Sequence, residues 1–201
     1  MTDTVTVDLK AIYATPSERV IAKARPALDD HSKRFIALSP FCVLATTGAD
    51  GGADASPRGG NPGFVHTEGD SRLLMPDRPG NNRIDSFRNI SEGNGLVQFI
   101  FFVPGINETL RVGGKGTLTD APELLAKLVE FGKPPRLVLS VEVQEAYFHC
   151  GKAIMRSKLW LKEAQVERSA MPSIAEIIHD QTELGEPESQ EAVDARYRTQ
   201  L

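Results

Sequence analysis

The sequence predicts a mainly β chain with flanking helices, its strands curled into a closed or partly open barrel. Three observations predict it. Five or six β-type runs follow one another through the middle of the chain, separated by turn-forming Gly, Pro and Asp clusters. The helical patterns around them are short and few. Antiparallel strands in this number leave exposed edges unless the sheet closes on itself.

Each element has its own signal. Residues 17–38 read as helix, opened by a capping-type Ser17, interrupted at Pro26, and carrying Phe35, Ile36 and Leu38 as the apolar contribution. FCVLATT (41–47) is a β-type run, GADGG a turn, and ADASP the returning strand of a hairpin. GFVHT and SRLLM extend the meander. In NRIDSFRNI, Ile84, Phe87 and Ile90 recur at helical spacing. LVQFIFFV (96–103) is almost uniformly apolar, so it is either covered on both faces or part of a subunit contact. TLRVGGKGTLT pairs with it across PGINE. APELLAKLVEF places Leu124, Leu125, Leu128 and Val129 behind a capping-box pair, Asp120 and Glu123. In RLVLSVEVQEAYF, Leu137, Leu139, Val141 and Val143 alternate with Val138, Ser140, Glu142 and Gln144, which predicts a strand with one wet face. SIAEIIHDQTEL reads as helix, and GEPESQEAVDARYRTQL as a packing arm or loosely held tail. The expected organisation is an N-terminal helical extension (1–40), a barrel (41–160) and a C-terminal helical arm or tail (161–201).

Composition removes several function classes. A net charge of −4 and a pI near 5.6 lack the broad basic field that nucleic acid or an acidic membrane surface requires. No run approaches the roughly 18 apolar residues of a membrane span, and MTDTVTVDLK has no signal-peptide core, so the expected location is cytoplasmic. Cys42 and Cys150 form no CxxC, the four histidines have no metal-ligand spacing, and a disulfide is not expected. His149, beside Cys150 at a strand end, reads as structural. GxGxxG, a P-loop and a nucleophile elbow are all missing.

Two stretches carry chemistry. PDRPGNNR (76–83) precedes a helical pattern; a helix starting near Asn81 would offer its free N–H groups and positive dipole end, with Arg78 and Arg83 as bidentate donors. Neither arginine has an acidic mate in the sequence apart from Asp77. The turn is therefore an anion seat or a tight turn with solvated arginines. Arg88 is set aside, because Asp85 can pair with it three residues earlier. In CGKAIMRSKLW, a helix would stack Lys152, Arg156 and Trp160 on one stripe, either exposed to water or holding an anion or planar ring.

In their order, ADGGADASPRGG, LLMPDRPGNNRIDSFRNI, LVQFIFFVPGINETLRVGGKG and YFHCGKAIMRSKLW resemble the pyridoxamine 5′-phosphate oxidase-like FMN-binding split barrels, and within them the probable FMN-dependent enzymes marked by SPRG, PDRPGNNR and CxKxxxRSxLW. The resemblance implies a six-stranded split barrel that dimerises, with FMN in clefts between subunits. It places Ala55, Ser56 and Pro57 along the flavin or ribityl chain and Arg58 near the ring's reactive side. Arg78, Asn81, Asn82 and Arg83 surround the phosphate, and Thr109 and Arg111 come from the partner chain. Lys152 and Arg156 complete the cofactor set, with Arg58 or Lys152 as the cation that favours reduced flavin. The implied function is an FMN-dependent oxidoreductase of a small-molecule substrate, with NAD(P)H or dioxygen as electron partner. LKEAQVERSAMPS after Trp160 lacks the Arg and His cluster with which the oxidase itself grips substrate phosphate, so that activity is not expected. The alternatives are a non-catalytic flavin- or haem-binding protein and a deazaflavin-dependent reductase. On the phosphate assignment, Arg83→Ala should weaken FMN binding more than tenfold.

Overall fold

The computed structural model describes residues 7–200; the stretch 1–6, part of the amino end read above for a leader, lies outside them. Seven strands, β1 (Phe41–Thr47), β2 (Ala53–Gly59), β3 (His66–Glu68), β4 (Arg72–Pro76), β5 (Leu96–Phe102), β6 (Thr109–Thr119) and β7 (Val138–His149), pair antiparallel in the order β2-β1-β5-β6-β7-β4-β3. β3 has only three residues, so six longer strands carry the sheet. Cys42, Leu44, Phe99, Phe101, Leu110, Val112, Leu139 and Val141 are fully buried in its core.

The apolar run in β5 resolves into an alternation. Val97, Phe99 and Phe101 point into the core, while Leu96 is 50% exposed and Ile100 and Phe102 are half-buried on the outer face. That outer face continues onto β1 through Val43 and the 40%-exposed Phe41.

β7 departs from the expected single wet face. From Val138 to Val141 it is buried throughout, because Leu124, Leu125 and Leu128 pack with Leu74 and Val138 on the side expected to be wet. Exposure begins at Glu142. The β6–β7 register shifts at Gly113/Gly114, and a side chain on Gly114 would put Cβ 2.1 Å from the Glu142 carbonyl oxygen, so the bulge requires glycine there.

The helices show where local pattern was overridden. The helix expected over 17–38 with an interruption at Pro26 is two, α2 (Glu18–Ala22) and α3 (Asp30–Leu38), after a four-residue α1 (Leu9–Ile12). Between them Arg25 pairs with Ala146 of β7 through N–H···O bonds of 3.0 and 2.8 Å; Pro26 cannot continue a helix, and Asp29 recaps the chain by accepting from the Ser32 amide at 2.8 Å. In α4 (Asp85–Glu92), Phe87 and Ile90 are buried but Ile84 is 48% exposed and precedes the helix. The capping box expected at Asp120 and Glu123 does not form: Ala121 is the N-cap of α5 (Pro122–Lys127). α6 (Lys152–Ser157) stops where Lys158 turns left-handed, φ 54°. The tail is helical, with α7 (Ile174–Thr182) and α8 (Gln190–Arg198) packed together and Val193 fully buried. Cys42 is buried and Cys150 exposed, both as free thiols. Among the described residues, no helix is long and apolar enough to cross a membrane.

Candidate functional site

The strand period sorts the SPRG stretch. Asp54, Ser56 and Arg58 face inward under α4, whereas Ala55 and Pro57 face outward with Val43 and Ala45 of β1. The inward three form a hydrogen-bonded chain with α4. Ser86 Oγ donates to Asp54 Oδ2 at 2.6 Å. Its only proton being spent there, the 2.9 Å contact between the two hydroxyls has Ser56 donating to Ser86. Arg58 Nη2 then donates to Ser56 Oγ at 3.1 Å and Ser86 Oγ at 3.3 Å. Asn89 and Thr46 extend the network, Asn89 Nδ2 donating to Thr46 Oγ1 at 3.0 Å. Arg58 thus meets Asp54 only through hydroxyls, with Ser86 standing between them.

This places an arginine in a costly position. Its guanidinium lies over the Phe87 ring at 4.9 Å, and its Nε is buried without a hydrogen-bond partner. Burial pulls the group below the ordinary arginine value, with the nearby Asp77 and Asp54 opposing. Cys42, opposite Arg58 in the β1–β2 register, is no nucleophile: burial pushes its thiol up to about 12.

The PDRPGNNR turn differs from its sequence reading in three ways. First, α4 begins at Asp85 and not near Asn81; Ile84 is its N-cap and supplies no side-chain bond. Asn81 Oδ1 instead accepts from the Arg83 amide at 2.9 Å, and Asn82 sits at φ 60°. Second, both arginines have acidic mates. Arg83, largely exposed, donates to Asp85 at 2.6 Å, and Asp85 also takes Arg88 at 3.2 Å. Arg78 Nη2 donates to Glu130 at 3.0 Å and to the Leu128 carbonyl at 2.8 Å, while Nη1 reaches the Lys133 carbonyl at 3.3 Å. Together with Asn61, Phe64 and His66, the Arg78–Glu130 pair lines a cavity of about 160 Å³, where burial pushes His66 below its usual value. Third, a cation that sequence reasoning missed arrives from the segment before β7: Arg136 Nη1 donates to Asn82 Oδ1 at 3.1 Å. No local motif marks it. Asp77 lies in the field of Arg58, Arg136 and Arg78, yet burial holds its carboxyl above the usual range.

The remaining predicted residues lie elsewhere in the chain. Thr109 and Arg111 share the outer sheet face with Ala55 and Pro57, across β1 and β5. Arg111 Nη2 donates to Gln98 Oε1 at 3.2 Å. Lys152 and Arg156 are exposed on α6, which follows β7, so β1, β5 and β6 separate Lys152 from Arg58 within one chain. The expected stripe with Trp160 is broken by the end of α6 at Ser157; Trp160 Nε1 donates to the Ile106 carbonyl at 2.8 Å. Among the described residues, no group of three or more His, Cys, Asp or Glu is placed to hold a metal ion.

Comparison with known proteins follows the fold. A HupZ variant from Group A Streptococcus superposes with a TM-score of 0.50 at 14% identity, over 61% of this chain and 99% of that one. An FMN-binding protein from Syntrophomonas wolfei gives a TM-score of 0.46 at 11% identity, over 58% and 81%. HutZ, the haem storage protein from Vibrio cholerae, gives 0.43 at 15% identity, over 61% and 93%. At these identities the HupZ likeness is one of fold. No curated protein matches the sequence. The family model described as pyridoxamine 5′-phosphate oxidase matches residues 28–150, more than half of the sequence, and the chain belongs to that family.

Proposed function

We propose that this chain is an FMN-dependent oxidoreductase acting on a small molecule, working as a homodimer with FMN between subunits. The observation that carries the reading is Arg58: a half-buried guanidinium held by neutral hydroxyls, with an unspent Nε donor, beneath a helix start that no side chain caps. A phosphate dianion suits such a seat, since it would accept from Nε and from the first-turn amides of α4. Arg83 and Arg136 border the turn and add positive charge at its rim. Asp54 stays behind the serines, where it orients Arg58 without occupying its open side.

Bound FMN would supply hydride and single-electron chemistry through its ring. The chain's own part is orientation and charge. Ala55 and Pro57 offer a small, flat outer surface on an edge strand, and Phe41, Val43, Leu96, Ile100 and Phe102 give the adjoining strands an apolar outer face suited to a second copy.

The test begins with the visible spectrum of the freshly purified protein and identification of the small molecule released on denaturation. We expect FMN, with stoichiometric rebinding on titration and bleaching by NADH or NADPH or reoxidation by dioxygen. A protein that takes up no FMN overturns the reading. A bound flavin that no donor reduces reduces it to a binding module, and a monomer in sedimentation that keeps full flavin removes the subunit interface from it.

A further inference from the structure

Both ends of the chain are helical and exposed. Every residue from 7 to 26 is exposed, and neither α1 nor α2 buries a side chain. Leu9, Ile12, Tyr13, Val20 and Ile21 stand there between 51% and 70% exposed. Isolated helices of four and five residues are unstable in water, so an apolar surface on them needs a neighbour.

The carboxyl end carries a counterpart. Val166, Met171, Pro172, Ile174 and Ile177, with Glu167 and Arg168, line a groove of about 480 Å³. Its walls are held from within: Arg168 donates to the Met171 and Pro172 carbonyls at 2.6 and 3.0 Å and to Gln190 of α8. The buried Ser173 donates to the Glu188 carbonyl at 2.6 Å and accepts from the Glu176 amide at 3.1 Å. The groove is thus preformed, yet Val166 is 79% and Met171 60% exposed.

Charge says what fits it. Residues 173–195 hold seven acidic residues and no Lys or Arg, whereas residues 9–25 hold Lys10, Arg19, Lys23 and Arg25 against Glu18 alone. Among the described residues none of those four cations is in an ion pair, and of the seven acids only Glu188 is, with Arg196. The two ends start near each other. Trp160 Nε1 donates to the Ile106 carbonyl in the loop before β6, Thr109 of β6 pairs with His149, and Lys23 Nζ donates to the Phe148 carbonyl at 2.8 Å. Within one chain neither covers the other, since residues 7–26 and the groove residues Val166 and Met171 all stay exposed. The loop that takes Trp160 follows β5, whose outer face with Phe102 is the one suited to a second copy.

We propose that the groove of the C-terminal arm receives the N-terminal extension, α1 and α2, of a second copy of this chain, each protomer giving its arm and taking the other's. The groove accepts aliphatic side chains of the extension, the acidic α7 and α8 meet its four cations, and two-fold symmetry makes the exchange reciprocal. The inference rests on the proposed function only for the second copy.

The experiment couples carboxyl groups of the full-length protein to lysine amines with a zero-length carbodiimide, separates covalent dimer from monomer by denaturing electrophoresis, and maps both bands by mass spectrometry. We expect Lys10 joined to an acidic residue of 173–195 in the dimer band and not in the monomer band. In sedimentation equilibrium, Ile12→Asp and Met171→Asp, both at exposed positions, should each weaken the dimer at least tenfold with circular dichroism unchanged. The link in the monomer band would fold the arm on its own chain and overturns the proposal, as does a wild-type dimer without the link or variants that dimerise as tightly as wild type. Co-sedimentation of an unlinked protein with phosphatidylserine vesicles would give α1 and α2 a lipid surface in place of the second copy. A dimer without the link leaves the homodimer of the flavin reading standing; a linked dimer that takes up no FMN sustains the exchange while ending that reading.

Discussion

Arg58 and Arg78 look alike in the sequence, each following a proline or an acid in a glycine-containing turn motif, but the fold uses them differently. Both are largely buried and both have an unpartnered Nε. Arg78 meets Glu130 directly, side chains 19% and 12% exposed, and spends further donors on two backbone carbonyls. Arg58 meets only hydroxyls, its carboxylate standing one serine further back. A cation in direct contact with its countercharge is largely neutralised, and the pair is a structural clamp between the turn and the segment after α5. Interposing a hydroxyl leaves more of the field available to an arriving anion. The comparison assigns Arg58 to ligand binding and Arg78 chiefly to stability, although the family resemblance sets Arg58 near the flavin ring and Arg78 around the phosphate.

The largest effect that could break this division is on stability. Glu130→Ala strands the Arg78 charge and also the Asn61 amide, which donates to Glu130 Oε1 at 2.6 Å. Removing one member of such a pair should cost about 3 kcal/mol in urea unfolding, with FMN affinity little changed. If affinity falls and stability does not, Arg78 belongs to the seat after all. Arg58→Met should do the reverse. Loss of charge-assisted bonds worth about 2 kcal/mol lowers FMN affinity roughly thirtyfold by fluorescence titration, while the flavin-free protein unfolds no earlier than wild type, because a buried cation has been removed.

The division between the two arginines was not legible in the sequence, and the reason is separation along the chain. The strands FCVLATT and ADASP were readable, because alternation is a local property, but the inward direction of Arg58 was not, since in ADASPR the polar residues face inward and the apolar ones outward. Glu130 lies 52 residues from Arg78 and Arg136 lies 54 from Asn82, so no spacing rule connects them. The helix start failed for a nearer reason: Asn81 accepts from the Arg83 amide with its own side chain and Asn82 turns left-handed at φ 60°, delaying α4 to Asp85. The buried first half of β7 was hidden because its cover comes from α5, and the tail helix because its apolar content is one buried valine in a polar run. His149 looked structural beside Cys150; only the β6–β7 register sets it near Arg111.

Smaller effects sharpen the comparison at the rim of the seat. Arg83 is exposed and already held by Asp85, so Arg83→Ala should weaken FMN binding about threefold, less than its place in the motif alone suggests. A tenfold loss would move Arg83 from the rim to the seat.

The smallest effect is a difference in pH dependence. Burial holds the Asp77 carboxyl above its ordinary 3.8, against the pull of Arg58, Arg136 and Arg78. The folded chain therefore keeps that proton to higher pH than the unfolded chain, and Asp77 withdraws stability as pH rises from about the ordinary value through the raised one. Asp77→Asn removes this slope: the variant should match wild type in thermal unfolding at pH 3.5 and melt later at pH 7. A variant that melts earlier at pH 7 would mean that Arg58 depends on Asp77 as its countercharge, and the serine-relayed Asp54 could no longer be what distinguishes Arg58 from Arg78.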